Sequence, residues 1–536
     1  MLNGDSRFSV APQASIERSR FDRSHSHKTT FDAGKLVPIY CEEVLPGDTV
    51  TLDLSTVCRM STPMYPVMDN AFLDVHWFFV PYRLVWSHWR EFCGENTDPW
   101  AQETEYEIPH ASFKPVNGGF WDHLGVPPGV TCDVSALPLR AYQLIWNEWY
   151  RDQNLQGNQL VNTGDTAELT TGDVLLNVNK YKDYFTSCLP SPQKGEAVLL
   201  PLGEWAPVYT RSTTVPSDGS LIGLRWATDY RSGVGGSNYN LSMSYSSGGF
   251  GNNTVITSSD SSASVGSVEP VNLWADLGKA TAATVNQLRQ AFAVQRLLER
   301  DARGGTRYRE LVKAHFGVDT GDARVQVPEY LGGKHIPINI SQVVQQSAAA
   351  DEPTPLGNTG AYSKTVDRGS MFTKSFVEHG LLMGLASVRT EHTYQQGFPR
   401  YLSRRTRYDF YWPELANIGE QAVKVSEIYA AVDPTSDVVF GYQEAWADYR
   451  YSPNRVSGAF RSSSPQSLDV WHYADDYISR PFLSSSWIAE TDANVARTLA
   501  VQDSAVADQF LLDCYFQSVW TRPMPLYSVP GMMGHF

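Results

Sequence analysis

Asp475 and Asp476 stand side by side in WHYADDY at 471–477, among rings that could serve as sugar platforms. A glycosidase needs two carboxylates opposed across the scissile bond, about 5–10 Å apart. Neighbours on a strand point to opposite sides instead. The pair therefore reads as structural, and a carbohydrate-active β-sandwich enzyme or sugar-binding module stands as the alternative function. His25-Ser26-His27 offers two imidazoles, but in a polar segment without nearby Cys, so no metal or other cofactor is expected. The patterns GxxxxGK[ST], HExxH and GxSxG are absent, and Gly233-Val234-Gly235-Gly236 lacks the last glycine of GxGxxG. The expectation is a protein that is not an enzyme.

Two arginine-rich stretches carry a different chemistry. RYLSRRTRYDFYW at 400–412 sets Arg404, Arg405 and Arg407 beside Tyr408 and further rings. Arginine neutralises phosphates and flat rings stack on exposed bases, which suits single-stranded nucleic acid. The same residues also suit a ring-rich subunit contact with arginines on carboxylates, and the sequence leaves both readings open. RDARGGTRYRE at 300–310 mixes charges around Gly304-Gly305, which reads as a junction where one helix stops and another starts. At the N-terminus, Arg18, Arg20, Arg23 and Lys28 add a further group of cations.

Composition limits what these groups can serve. The chain has 536 residues and a formal net charge of −15. That charge excludes a protein whose whole surface coats nucleic acid, but it permits a locally basic face. Charged residues make up 19%, against roughly 25% in a typical soluble chain, and aromatics reach 12%. Few charges and many rings suit a protein that buries much of its surface against partners. Six cysteines without a CxxC spacing read as reduced thiols. The start, MLNGDSRFSV, shows no apolar stretch of a secretory leader. The longest apolar run, at 75–82, is interrupted by His76 and Pro81 and is too short to cross a bilayer, so no membrane insertion is expected.

The elements that must position these groups are mainly strands. Over 48–60, Val50, Leu52, Leu54, Thr56, Cys58 and Met60 alternate with polar residues, the mark of a half-buried strand in an antiparallel sheet. Val75, Trp77 and Phe79 form one face of a second strand, with Asp74, His76 and Phe78 on the other. Phe510, Leu512, Cys514, Phe516 and Trp520 define a third strand, more than four hundred residues along the chain. Helical spacing appears between them, in Leu139, Tyr142, Ile145 and Trp149, with Arg140 on the polar face, and again in Val285, Leu288, Phe292 and Leu298. Residues 1–46 show little apolar periodicity and read as an extended arm. In 231–268, 19 of 38 residues are Gly or Ser, yet Tyr239, Met243, Tyr245 and Phe250 occur there. This reads as a long exposed excursion over about 210–270 with some hairpin character.

Several of these segments together resemble one family. LERDARGGTRYRELVKAHFGV at 298–318, PEYLGG at 328–333, SRFDRSHSHKTTFDAGKLVPIY at 19–40, PMYPVMDNAFLDVHWFFVPYRLVW at 63–86 and MPLYSVPGMMGHF at 524–536 resemble the major capsid protein of microviruses, in the gokushovirus branch. The resemblance covers essentially the whole chain outside 210–270. It implies a mainly β fold, an eight-stranded antiparallel jelly roll with long, partly helical insertions. The expected organisation is an extended N-terminal arm over 1–46 and a single jelly-roll capsid domain over 47–536. The 210–270 insertion interrupts that domain and forms an exterior protrusion.

The resemblance further implies a small icosahedral (T=1) shell of sixty copies around a circular single-stranded DNA genome. The implied partners are other copies of the chain, packaged single-stranded DNA, a small basic DNA-binding virion protein, other minor virion proteins and a host cell surface receptor. The implied location is the virion capsid, assembled in the bacterial host cytoplasm. At −15 per chain, sixty copies carry about nine hundred formal negative charges, so the DNA needs a locally basic inner face and added cations. Arg404, Arg405, Arg407, Tyr408, Arg18, Arg20, Arg23 and Lys28 are the expected nucleic-acid-facing residues. Tyr239, Met243, Tyr245 and Phe250 are the expected exterior ones.

Overall fold

The alternating residues at 49–60 form one long strand because only one of its faces can be buried. Val50, Leu52, Leu54, Cys58 and Met60 turn inward and Thr49, Asp53 and Arg59 turn outward. The computed structural model of the chain describes residues 17–95, 106–168, 173–196, 198, 208–210, 226–228, 268–270, 273–275, 285–304, 308–317, 326–347, 356–430 and 438–527. Nine strand segments build two facing sheets. In chain order they are β1 (Ser19–Asp22), β2 (His25–Phe31), β3 (Val37–Val44), β4 (Thr49–Met60), β5 (Ala71–Pro81), β6 (Glu329–Pro337), β7 (Thr365–Ser375), β8 (Gly380–Thr390) and β9 (Phe510–Arg522).

β1 and β2 are two halves of one strand, since both run antiparallel along β9 in unbroken succession. The first sheet then has the order β1/β2–β9–β4–β7 and the second has β6–β5–β8–β3. Counted as eight strands, these orders are first–eighth–third–sixth and second–seventh–fourth–fifth. All pairings within the two sheets are antiparallel. This is the strand order of a jelly roll, two interlocked Greek keys.

The two inner faces meet in a layer of rings. Tyr40 from β3, Trp77 from β5 and Phe516 from β9 contact one another, with centroid distances of 5.2 Å (Tyr40–Trp77), 5.0 Å (Tyr40–Phe516) and 5.8 Å (Trp77–Phe516). Gly384, paired with Trp77 across β8 and β5, leaves room for the indole; a Cβ there would lie 2.7 Å from the ring. The turn from β2 to β3 needs Gly34, whose φ of +80° suits glycine and whose missing Cβ would sit 2.6 Å from the Glu490 carbonyl oxygen.

The described part of the expected 1–46 arm belongs to the sandwich. Ser19–Asp22, His25–Phe31 and Val37–Val44 are three of its strands. β1 and β2 escape the period-two pattern because they lie at a sheet edge and carry polar residues on both faces. β8, GLLMGLASVRT, also lacks alternation. It is buried on both sides, so its sequence has no polar face.

The outer face of β5 is covered too. Helix α1 (Leu137–Ile145) continues into a single π-helical turn, Trp146–Tyr150, which packs over Phe78 and His76. Arg140, expected on the polar side of that helix, is fully buried. It pairs with Glu168 at 2.7 Å and donates to the carbonyls of Val85, Gly164 and Thr166.

On the side where β6 and β7 form the edges of the two sheets, charge and irregularity replace flat pairing. Lys334 of β6 reaches Asp367 of β7 at 2.5 Å, and Lys374 of β7 reaches Glu329 of β6 at 2.6 Å. The register of β7 shifts between Ser370 and Phe372. A second apolar cluster, including Phe185, Tyr394, Ile428, Phe440 and Trp487, gathers the segments around a two-stranded sheet of Glu420–Lys424 and Val439–Glu444.

Contacts divide the chain into two units, Met1–Pro192 with Asp301–Phe536, and Gln193–Arg300. The sandwich lies in the first. The second is wider than the expected 210–270 insertion. Its described parts include two antiparallel pairs, Val208–Thr210 with Leu273–Ala275 and Trp226–Thr228 with Val268–Pro270. Helix α2 (Val285–Gly304) ends at the predicted glycine junction, and α3 (Tyr308–Phe316) follows. No helix among the described residues is long and apolar enough to cross a membrane.

Phe516→Ala should remove a ring shared by both sheets and cost about 3–5 kcal/mol. The thermal midpoint of the full-length protein should fall by several degrees. Leu511→Ala, on the outer face of the same strand and 46% exposed, should shift it little.

Candidate functional site

Three short 3₁₀ turns, Arg400–Ser403, Arg407–Asp409 and Pro413–Leu415, fold the arginine- and ring-rich segment into a compact loop. Asp409 holds its centre. Its Oδ2 accepts from the backbone N–H groups of Thr406 at 2.7 Å and Arg405 at 2.9 Å, and from the Thr406 hydroxyl at 3.0 Å. Those bonds, led by the one from the Thr406 backbone, hold its carboxyl below the usual aspartate range.

The arginines divide between two roles. The Arg404 guanidinium pairs with Asp448, and Tyr449 and Phe410 lie 4.4 and 5.5 Å from it. Only 7% of the Arg404 side chain is exposed, so little of it is left to meet a phosphate. Arg404 thus braces the loop. Arg405 and Arg407 are exposed, and Arg407 lies 5.0 Å from the Trp412 ring, whose Nε1 donates to the Arg407 carbonyl. Tyr408 is 72% exposed, and Tyr401, Phe410, Tyr411 and Trp412 add further half-exposed rings. The result is a braced surface of rings and two outward cations.

The N-terminal cations sit on the first sheet instead. Arg18 donates to Thr49 Oγ1 at 2.7 Å and to the Gly47 carbonyl. Arg23 pairs with Glu42 at 2.6 Å and lies over Trp520. Lys28 faces Asp513 across the β2–β9 pair at 3.4 Å, with both side chains largely in solvent. Arg20 is exposed on β1. Arg18 and Arg23 thus fasten the edge strand, while Arg20 and Lys28 stand on its outer side. His25 packs on Tyr40 and Phe516, and burial pushes the pKa of His27 down. No group of three His, Cys, Asp or Glu residues suited to a metal ion occurs among the described residues. Tyr239, Met243, Tyr245 and Phe250 lie outside the described residues.

Asp475 and Asp476 do not form a catalytic pair. Asp475 is buried, and its oxygens meet Lys180 at 3.3 Å, His392 Nδ1 at 3.0 Å, the Tyr477 hydroxyl at 2.7 Å and Asn494 at 2.5 Å. Asp476 accepts from Gln396. Sequence reasoning missed this polar cluster, because its members come from four distant segments with no shared spacing. His392 is its centre, held by Asp475 on Nδ1 and by Glu490 on Nε2 at 2.9 Å. Burial alone would lower its pKa, but the two carboxylates reverse that and raise it to about 9. Burial would likewise raise the pKa of Asp475, but Lys180 and His392 hold it far below the usual range.

A jelly roll is the architecture of viral coat proteins, and also of lectins and cupins. Here the exposed ring-rich loop and the locked carboxylates favour the coat-protein class. A family model described as "Capsid protein (F protein)" matches residues 9–532. The chain is 42% identical over 539 residues to the capsid protein VP1 of Bdellovibrio phage phiMH2K, covering 99% of this chain and 98% of that one. It is 40% identical over 589 residues to capsid protein VP1 of Chlamydia phage 1, covering 98% and 97%. It is 39% identical over 545 residues to capsid protein VP1 of Spiroplasma virus 4, again covering 98% and 97%. The chain belongs to this capsid protein family, the major capsid proteins of microviruses. The Chlamydia and Spiroplasma phage relatives agree with the gokushovirus branch.

The His392 cluster makes stability depend on alkaline pH. A raised folded-state pKa contributes stability that is fully present below about 6.5 and lost as pH rises through about 9. The melting midpoint of the full chain should therefore fall between pH 7 and 10, and His392→Gln should flatten that fall while lowering the midpoint at pH 7.

Proposed function

We propose that sixty copies of this chain close a T=1 icosahedral shell around a circular single-stranded DNA genome, assembled in the cytoplasm of a bacterial host. The observation that carries this reading is end-to-end membership of the microvirus capsid family. The exposed rings of the 400–412 loop support it, since aromatic residues and Arg are enriched where protein surfaces meet. A closed shell needs several distinct patches on each copy, each meeting a different patch on its neighbour. A chain with few charges and many rings meets that need.

The charge balance calls for help in packaging. With a net charge of −15, the chain as a whole repels DNA, so the inner surface must be basic in places. Arg405, Arg407 and Tyr408 are the loop's candidates for that surface, and Arg20 and Lys28 are those of the first sheet. A small basic DNA-binding virion protein supplies the remaining cations, and other minor virion proteins complete the particle. The 210–270 insertion is the exterior part and meets the host receptor.

Electron microscopy of purified particles tests the shell directly. Spherical particles with icosahedral symmetry are expected, holding DNA that a single-strand-specific nuclease digests only after disruption. A persistent monomer would sink the proposal. Within it, the double variant Arg405→Ala/Arg407→Ala should lower packaged DNA while shells still form. Arg404→Ala should instead lower thermal stability, because it leaves Asp448 without its partner.

A further inference from the structure

We propose that a cleft on the outer face of the second sheet holds a nucleotide of single-stranded DNA, its base against two aromatic rings and its phosphate against Lys182 and Arg389. This deepens the proposed function and rests on its reading that the shell encloses single-stranded DNA. The cleft has a volume of about 660 Å³, inside the range of roughly 300–1000 Å³ common to small-ligand sites.

Its rings come from three elements. Phe78 of β5, Trp149 of the π turn and Tyr330 of β6 pack together along one side of it, each pair of ring centroids 5.7 Å apart. A π turn costs helical regularity and is found often at functional positions. Here it brings Trp149 beside Tyr330, with the two planes 37° apart. The indole Nε1 donates to the Pro328 carbonyl at 2.9 Å, which fixes the ring. Phe78 is buried, but Trp149 is 40% exposed and Tyr330 43% exposed. Nothing in the sandwich requires two large rings fixed in place and left half in water. Every base has a π-face, so such a platform takes a nucleotide without regard to sequence.

The polar groups around the platform select an anion. Four cations line the cleft, Arg151, Lys180, Lys182 and Arg389, against two carboxylates, Asp152 and Glu310. Asp152 accepts from Lys182 at 2.6 Å, and Asp74 behind the cleft accepts from Arg389, from Tyr181 at 2.6 Å and from His335 at 2.6 Å. Lys182 also donates to the Thr186 carbonyl at 3.0 Å, and its side chain is 54% exposed. An ammonium has three donors and a guanidinium five. Arg389 also donates to the Asn179 carbonyl at 3.2 Å, and both cations keep donor capacity beyond these bonds. The excess of cations over carboxylates disfavours a basic peptide and favours an anion. A phosphate needs only donors.

Ultraviolet cross-linking of intact particles, followed by nuclease digestion and peptide mass spectrometry, tests the assignment. Nucleotide adducts are expected on the peptides bearing Trp149 and Tyr330. Trp149→Ala should lower the Tyr330 adduct by at least about fivefold, and Trp149→Phe, which keeps a ring, should retain most of it. If Trp149→Ala fails to assemble, Tyr330→Ala read at Trp149 serves in its place. Particles that contain single-stranded DNA but cross-link elsewhere overturn the cleft and leave the proposed function standing; particles without DNA overturn both. In a parallel arm, full-length protein is titrated with an octamer of thymidylate or with a neutral oligosaccharide. The octamer should quench a component of fluorescence that is absent from Trp149→Phe. Quenching by the oligosaccharide alone overturns the proposal.

Discussion

The pairing of β9 with β2 on one side and β4 on the other holds the rest of the molecule in place. β9 places its inner residues, Phe510, Leu512, Cys514, Phe516 and Trp520, opposite the second sheet, and without it β1 and β2 have no sheet partner and β4 keeps only β7. Its partners lie more than four hundred residues earlier. Bringing such distant segments together costs loop entropy before any contact repays it. The repayment is the ring layer of Tyr40, Trp77 and Phe516, which forms only when both sheets are present.

That frame leaves its long connections free to carry function. The 82–328 and 391–509 stretches hold the π turn, the arginine loop and the buried His392 cluster, while the strands provide fixed anchor points. The His392 cluster joins the end of β8 to the 472–477 and 488–494 segments and to Lys180 by charge-assisted bonds in a buried setting. Such a network is costly if any member lacks a partner. It therefore specifies how those loops lie more than it adds to net stability. Arg404 with Asp448 does the same on a smaller scale, and the exposed rings of its loop are held by that brace.

The sequence made some elements plain and hid others for definite reasons. β4, β5 and β9 each turn an apolar face toward the facing sheet, so their alternation was visible in the residues, and the helical spacing around Leu139 gave α1. β1 and β2 carry polar residues on both sides, and β8 is buried on both. Neither kind of strand has a periodic face to read. The motifs that resemble the capsid family cover β1, β2 and β5, so the fold class followed from them where periodicity was silent. Site residues were less legible. Whether an arginine faces outward or inward depends on a carboxylate elsewhere: Asp448 decides it for Arg404 and Glu42 for Arg23. The cleft beside Trp149 depends on a π turn, which has no spacing signature.

The open flank of the sandwich, where β6 and β7 run, has a bearing on how copies meet. A long, flat, unpaired strand invites another chain to add on by backbone hydrogen bonds, and such growth has no natural end. Lysines 334 and 374 crossing to carboxylates on the opposite sheet, together with the slipped register after Ser370, deny a newcomer that template. Open-ended stacking of one copy's strand onto another's is thereby disfavoured along this flank.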